Sequence, residues 1–148
     1  MTAYLPPKKI LICDDDADIL CMLECLLSTA GYQVSSAASY EEFFEKYKRE
    51  KPALVLLDVR MPEHDGFWIA EELHRLGNTA PVIFVTAHVR SIFNLSAPIP
   101  GAVDLIVKPF EPEFLLSRVS RALRTGAFPG SLSYATSALP RPVEQTTE

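Results

Sequence analysis

Four apolar runs in this 148-residue chain end in groups suited to holding phosphate beside a hard cation. Ile10-Leu11-Ile12-Cys13 leads directly into Asp14-Asp15-Asp16, and the run at 53–57 ends at Asp58. The run at 82–85 ends at Thr86, and Leu105-Ile106-Val107 ends at Lys108-Pro109. Two carboxylates ~4 Å apart repel by about 4 kcal/mol at an effective dielectric near 20. An acidic cluster behind a buried strand therefore persists only with a cation, protons or bases to neutralise it. Acid, acid, hydroxyl and ammonium at four strand ends describe a site for a divalent metal and a phosphoryl group side by side.

The elements that must carry these groups follow from pattern. Strands are expected at 9–13, 33–37, 53–57, 82–85 and 104–107. Four of them are continuous apolar runs, the mark of strands buried on both faces of a parallel sheet. Helical periodicity alternates with them. Ile19, Leu23, Leu26 and Ala30 form one stripe, stopped by Gly31. Ser39 with Glu42 makes a capping box that opens a helix from Tyr40 to about Arg49. A third helix runs from Gly66 to Leu76, with Ile69, Leu73 and Leu76 facing inward. A last helix starts at Pro112 and presents Leu115, Val119 and Ala122. Between them, residues 91–95 begin a helix that Pro98 and Pro100 stop within two turns. Strand–helix alternation in this order implies a right-handed, doubly wound α/β sandwich of three layers.

Composition sets the bounds. The chain is 48% hydrophobic and 22% charged, ordinary for one domain with a full core. A net charge of -5 argues against direct nucleic-acid contact, which needs a basic face. No apolar stretch approaches the ~20 residues of a membrane helix, and residues 1–7 lack the order of a signal peptide. A cytoplasmic location is expected. Cys13, Cys21 and Cys25 read as small hydrophobes in a reducing compartment, because His64, His74 and His88 offer no zinc spacing. Residues 1–7 and the Pro-, Ser- and Thr-rich stretch 126–148 read as flexible ends around one domain at 8–125, with no output domain.

Over residues 8–125 the chain resembles the receiver domain of two-component response regulators. The likeness rests on Ile10-Leu11-Ile12-Cys13-Asp14-Asp15-Asp16, on Leu56-Leu57-Asp58-Val59-Arg60-Met61-Pro62 with Asp65-Gly66, on Val85-Thr86-Ala87, and on Val107-Lys108-Pro109-Phe110. Each is a weak signal alone; all four, in order and at strand ends, are specific. The resemblance implies a flavodoxin-like fold, five parallel strands in the order 2-1-3-4-5, with the site at their carboxyl ends.

It also implies roles. Asp58 would accept a phosphoryl group from a histidine kinase or a histidine phosphotransfer protein. Asp14, Asp15, Asp58 and the backbone carbonyl of Arg60 would hold Mg²⁺, an ion that takes oxygen ligands and keeps water, so that Asp14 acts through a coordinated water. Asp16 would cap the first helix. Lys108, aimed by a cis bond to Pro109, would reach the phosphoryl group, and Thr86 and the amide of Ala87 would receive it. The protein would be a phosphoacceptor rather than an enzyme acting on other substrates. Its downstream target is unknown, and a homodimer is open to it.

Departures from the pattern carry their own expectations. Leu105 stands where most receivers place an aromatic residue, three positions before the lysine. The segment 88–101 is expected to switch by ordering. Arg60 and His88 flank the pocket and read either as a screen of the acyl phosphate from water or as exposed side chains of no consequence. Trp68 reads either as a contact patch or as a shield for local core. Arg118, Arg121 and Arg124 read as a solvated outer face or a charged self-association surface.

One carrier class and one enzyme class each fail on a particular part of this set. A flavin carrier needs a phosphate cradle where this chain has three acids. A haloacid-dehalogenase-type phosphatase has a second acid where this chain has Arg60. The remaining alternative is a receiver that no longer takes phosphate and serves as a docking module.

Overall fold

The computed structural model describes residues 5–88, 90 and 99–125. Five strands, β1 (Lys9–Cys13), β2 (Gln33–Ala37), β3 (Leu54–Leu57), β4 (Val82–Thr86) and β5 (Ala102–Val107), form one parallel sheet in the order β2-β1-β3-β4-β5. The described helices are α1 (Ala17–Thr29), α2 (Tyr40–Glu50), α3 (Gly66–Arg75) and α4 (Pro112–Thr125). The short helix expected at 91–95, the switching segment around it, and the tail 126–148 lie wholly or mostly outside the described residues.

Alternate side chains of each strand serve opposite faces, as the two-residue strand period requires. Leu11, Cys13, Val55, Leu57, Val82 and Phe84 meet Phe43 of α2 and Ile69, Ala70 and Leu73 of α3. Ile10, Ile12, Leu54, Leu56, Ile83, Val85 and Ile106 meet Leu20, Leu23 and Leu27 of α1 and Leu115, Val119 and Ala122 of α4. Burial of each such large side chain contributes about 1.5–3 kcal/mol, so both faces must be covered by helices.

Local chemistry sets the helix ends. Asp16 caps α1 by accepting from the amides of Asp18 at 2.9 Å and Ile19 at 3.4 Å. Asp65 caps α3 by accepting from the Trp68 amide at 2.9 Å. Ser39 Oγ accepts from the Glu42 amide at 3.3 Å. The reciprocal bond of the expected capping box lands one residue earlier, on the Ala38 amide at 2.8 Å. Gly31, at φ +101°, lets the chain turn from α1 into β2.

Three packing expectations are corrected. The inward residues of α1 are Leu20, Leu23 and Leu27; Ile19 and Leu26 are only half buried, and Ala30 is exposed. Ile69 and Leu73 are buried as expected, but Leu76 caps α3 and is exposed. Strand β5 begins at Ala102, two residues early, because a register shift at Val82/Ile83 pairs Val82 with Ala102 and Ile83 with Asp104. Val103 is the extra residue.

Candidate functional site

At the carboxyl edge of the sheet, β1, β3 and β5 bring three charged groups together. Asp14 follows β1 and is anchored by its own amide, which donates to the Ala37 carbonyl at 3.1 Å. Asp58 follows β3, and its amide donates to the Cys13 carbonyl at 3.0 Å. The two carboxylates are thus fixed by continuation of the ladder on neighbouring strands. Both are buried, whereas Asp15 faces solvent. Carboxylate oxygens of Asp14, Asp15 and Asp58 lie within 4.8 Å of one another.

Lys108 supplies the countercharge. Its Nζ donates to Asp14 Oδ2 at 2.5 Å and to Asp58 Oδ2 at 3.1 Å. The Lys108-Pro109 peptide bond is cis, and the Lys108 amide extends the β4–β5 ladder to the Thr86 carbonyl at 2.9 Å. Burial by itself would lower the Lys108 pKa. The hydrogen bond and charge of Asp14, with those of Asp58, outweigh it and hold the ammonium above its ordinary value. Burial raises the Asp14 carboxyl, and the bond from Lys108 works against that rise.

The remaining predicted residues fall around this triad. Asp14 Oδ1 accepts from the Asp16 amide at 2.9 Å, and Asp58 Oδ1 from the Arg60 amide at 3.4 Å. The Arg60 backbone is therefore beside Asp58, while its side chain is exposed. Thr86 is fully buried at the end of β4, and its Oγ1 accepts from the His88 amide at 3.0 Å. Since Leu57 pairs with Phe84, Asp58 and Thr86 leave adjacent strands at the same edge.

The donor set suits a hard divalent ion. It is all carboxylate oxygen, part buried and part solvent-facing, with no thiolate or imidazole among the clustered groups. The Lys108 ammonium, bonded to two of the three acids, offsets part of the negative charge of the cluster.

Sequence reasoning named Gly66 in a motif without giving it a role, and missed the role of Asp104. Gly66 packs so closely on the Asp58 carbonyl that a Cβ there would overlap it, with Phe84 Cε1 3.1 Å away. Its amide also donates to the Val59 carbonyl at 2.8 Å. Asp104, buried on β5, accepts from Arg118 Nη1 at 2.9 and 2.7 Å. Arg118 also lies over the Phe114 ring, 4.8 Å from its centroid. It is thus tied to the sheet rather than part of a free outer face. An aspartate among apolar residues was the available signal. Trp68, for its part, shields core: it stacks on His64 at 3.8 Å and meets Tyr40 and Phe44 edge-on. Leu105 is buried in the core.

Clustered acids and a lysine thus meet at the carboxyl edge of a doubly wound parallel sheet. The chain belongs to the response regulator receiver domain family, whose model matches residues 10–120. It is 44% identical over 117 residues to the probable transcriptional regulator ycf27 of Porphyridium aerugineum, covering 79% of this chain and 48% of that protein. It is 41% identical to ycf27 of Cyanophora paradoxa over the same shares of each. The chain thus spans about half the length of the curated relatives it matches. Among solved structures, a CheY-like receiver domain protein from Methanospirillum hungatei superposes with a TM-score of 0.71 and 34% identity, covering 80% of this chain and 95% of that one. Response regulator TrrA from Thermotoga maritima, solved in complex with Mg²⁺-BeF, gives a TM-score of 0.70 and 31% identity, covering 77% and 97%. No described helix is long and apolar enough to cross a membrane.

Proposed function

We propose that Asp58 is the phosphoacceptor of a receiver unit spanning residues 8–125. In this reading a carboxylate oxygen of Asp58 attacks the phosphorus of a phosphohistidine on a histidine kinase or a histidine phosphotransfer protein. The P–N bond breaks as the P–O bond forms, and the imidazole leaves with the electron pair. The observation that carries it is the Lys108 ammonium, bonded to both Asp14 and Asp58 at the ends of adjacent strands. An acid so held is oriented, and a cation is already aimed at the charge that transfer would bring.

Asp14, Asp15, Asp58 and the Arg60 carbonyl are the residues that would hold Mg²⁺, with Asp14 reaching it through water. When bound, the ion would neutralise charge on the phosphoryl oxygens. Lys108 would bond the phosphoryl group once Asp58 is esterified. Thr86 would give up the His88 amide and donate its hydroxyl to the phosphate, with the Ala87 amide beside it. That exchange is the switch: a doubly charged group biases two arrangements of Thr86 and the His88 amide. The only chemistry catalysed is the unit's own phosphorylation and dephosphorylation.

The output is binding to another protein or segment, in the cytoplasm. Nucleic-acid contact is not assigned to residues 8–125; the ycf27 proteins named as transcriptional regulators extend to about twice the length matched here.

Incubation with acetyl phosphate and Mg²⁺, followed by intact mass measurement, tests the reading. One added phosphoryl group, lost in Asp58→Asn, supports it. An unchanged mass at saturating Mg²⁺ would sink it and favour the docking-module alternative.

A further inference from the structure

Two of the three cysteines do not behave as the small hydrophobes expected of them. Cys13 is buried, and its Sγ lies 3.5 Å from Met61 Sδ and 3.7 Å from the Ser39 carbonyl. Cys21 and Cys25 are exposed on α1, and so is Met22, at 40%. Thiols are rarely left on a surface without packing, so this face needs its own account.

We propose that Cys21, Cys25 and Met22 form a second metal site, for a soft d¹⁰ cation of the copper(I) class. Positions four apart on a helix are neighbours, with Cβ atoms about 5–6 Å apart. Metal–sulfur bonds near 2.3 Å place two thiolates no more than about 4.6 Å apart across one ion. Side-chain rotation at these two exposed cysteines is the movement that would bring the sulfurs to that distance. Met22, one residue after Cys21 and three before Cys25, puts a thioether on the same side.

The helix is held so that these three sulfurs stay outside. Leu20, Leu23 and Leu27 are buried against the sheet, and the Glu24 carboxylate is hydrogen-bonded to the Ser36 hydroxyl of β2. Residues 21, 22 and 25 are therefore presented on the exposed side of a capped helix anchored on the sheet. Zinc takes four ligands, more than these three sulfurs supply, whereas copper(I) is satisfied by two or three soft ones. Binding releases two thiol protons to solvent and forms two metal–thiolate bonds, with no change of oxidation state.

Hard–soft preference keeps this site distinct from the acids. Carboxylates select magnesium and thiolates select copper(I), and Cys21 lies about 8 Å along the helix axis from the Asp16 cap. The two cations should therefore bind independently.

The test is anaerobic titration of the full chain with copper(I) against a chromophoric chelator, with far-UV circular dichroism confirming the fold of each variant. One ion per chain is expected, undisturbed by millimolar Mg²⁺. Cys21→Ser and Cys25→Ser should each weaken binding by roughly 10²–10⁴, the usual gain from making the second contact intramolecular. Met22→Leu should weaken it less. The decisive variant is Cys25→Ser/Ser28→Cys, which keeps three thiols but spaces the surface pair seven apart. It should bind as poorly as Cys25→Ser. Retained affinity in that variant, or two weak ions per native chain, would overturn the proposal.

Discussion

Lys108 is bonded more closely to Asp14, at 2.5 Å, than to Asp58, at 3.1 Å. Its primary partner is thus the proposed metal-side acid rather than the proposed phosphoacceptor. All three side chains are largely buried, so the pair is not a surface salt bridge of negligible worth.

Replacing this ammonium separates its two duties. Lys108→Met should lower stability by about 3 kcal/mol in urea without Mg²⁺, because two buried acids lose their countercharge. The same variant should bind Mg²⁺ several-fold more tightly by calorimetry, since one positive charge has left the pocket. Weaker Mg²⁺ binding would mean that Lys108 positions the acids instead of competing for them.

Gly66 should tolerate no side chain. Gly66→Ala drives a Cβ into the Asp58 carbonyl, a backbone atom that cannot rotate away. A loss of about 1–3 kcal/mol is expected from overpacking, together with slower labelling by acetyl phosphate. Wild-type stability and labelling together would show that the β3–α3 loop yields freely.

The three arginines of α4 should separate in a urea series. Arg118→Ala leaves Asp104 buried and unpaired and should cost about 2–3 kcal/mol. Arg121→Ala and Arg124→Ala, both exposed, should fall within about 0.5 kcal/mol of wild type. Equal effects at all three sites would return Arg118 to the solvated face.

This last contrast shows what the sequence could and could not reveal. The clustering of acids and lysine was legible because these groups sit at strand ends, where apolar runs stop abruptly at Asp14, Asp58, Thr86 and Lys108. Asp104 was not, because an acid at the start of an apolar run reads as a boundary. Only the register shift at Val82/Ile83 carries that position inside the strand. The face of α1 was ambiguous for a different reason. Ile19-Leu20 and Leu26-Leu27 each offer two neighbouring apolar positions, and periodicity cannot choose between stripes one residue apart. Gly66 appeared in the matching motif, yet its contact with the Asp58 carbonyl is a tertiary fact.

Thiol exposure gives a direct chemical reading of that corrected helix face. Native protein treated with iodoacetamide at neutral pH should be alkylated at Cys21 and Cys25 only. Cys13 should react after denaturation, since burial pushes its thiol up to about 12. Modification of Cys13 in the native state would place the β1 end in solvent.

Tyr47 should govern part of the alkaline limb of stability. Its hydroxyl donates to Asn78 Oδ1 at 2.8 Å, and burial holds its pKa above the ordinary value of 10.0. A raised pKa means the folded state favours the neutral phenol. The contribution is complete below about pH 10 and is lost as pH rises through the folded value. Urea melts at pH 8 and pH 10.5 should show a smaller alkaline loss in Tyr47→Phe than in wild type.

The bond between Lys108 and Asp14 joins residues 94 apart in the chain, and that to Asp58 spans 50. Contacts between such distant partners raise the mean sequence separation of the fold, which slows folding in general. The ammonium therefore ties the last strand in the chain to the first and third, so loss of the β5 end would leave the two acids without their shared cation.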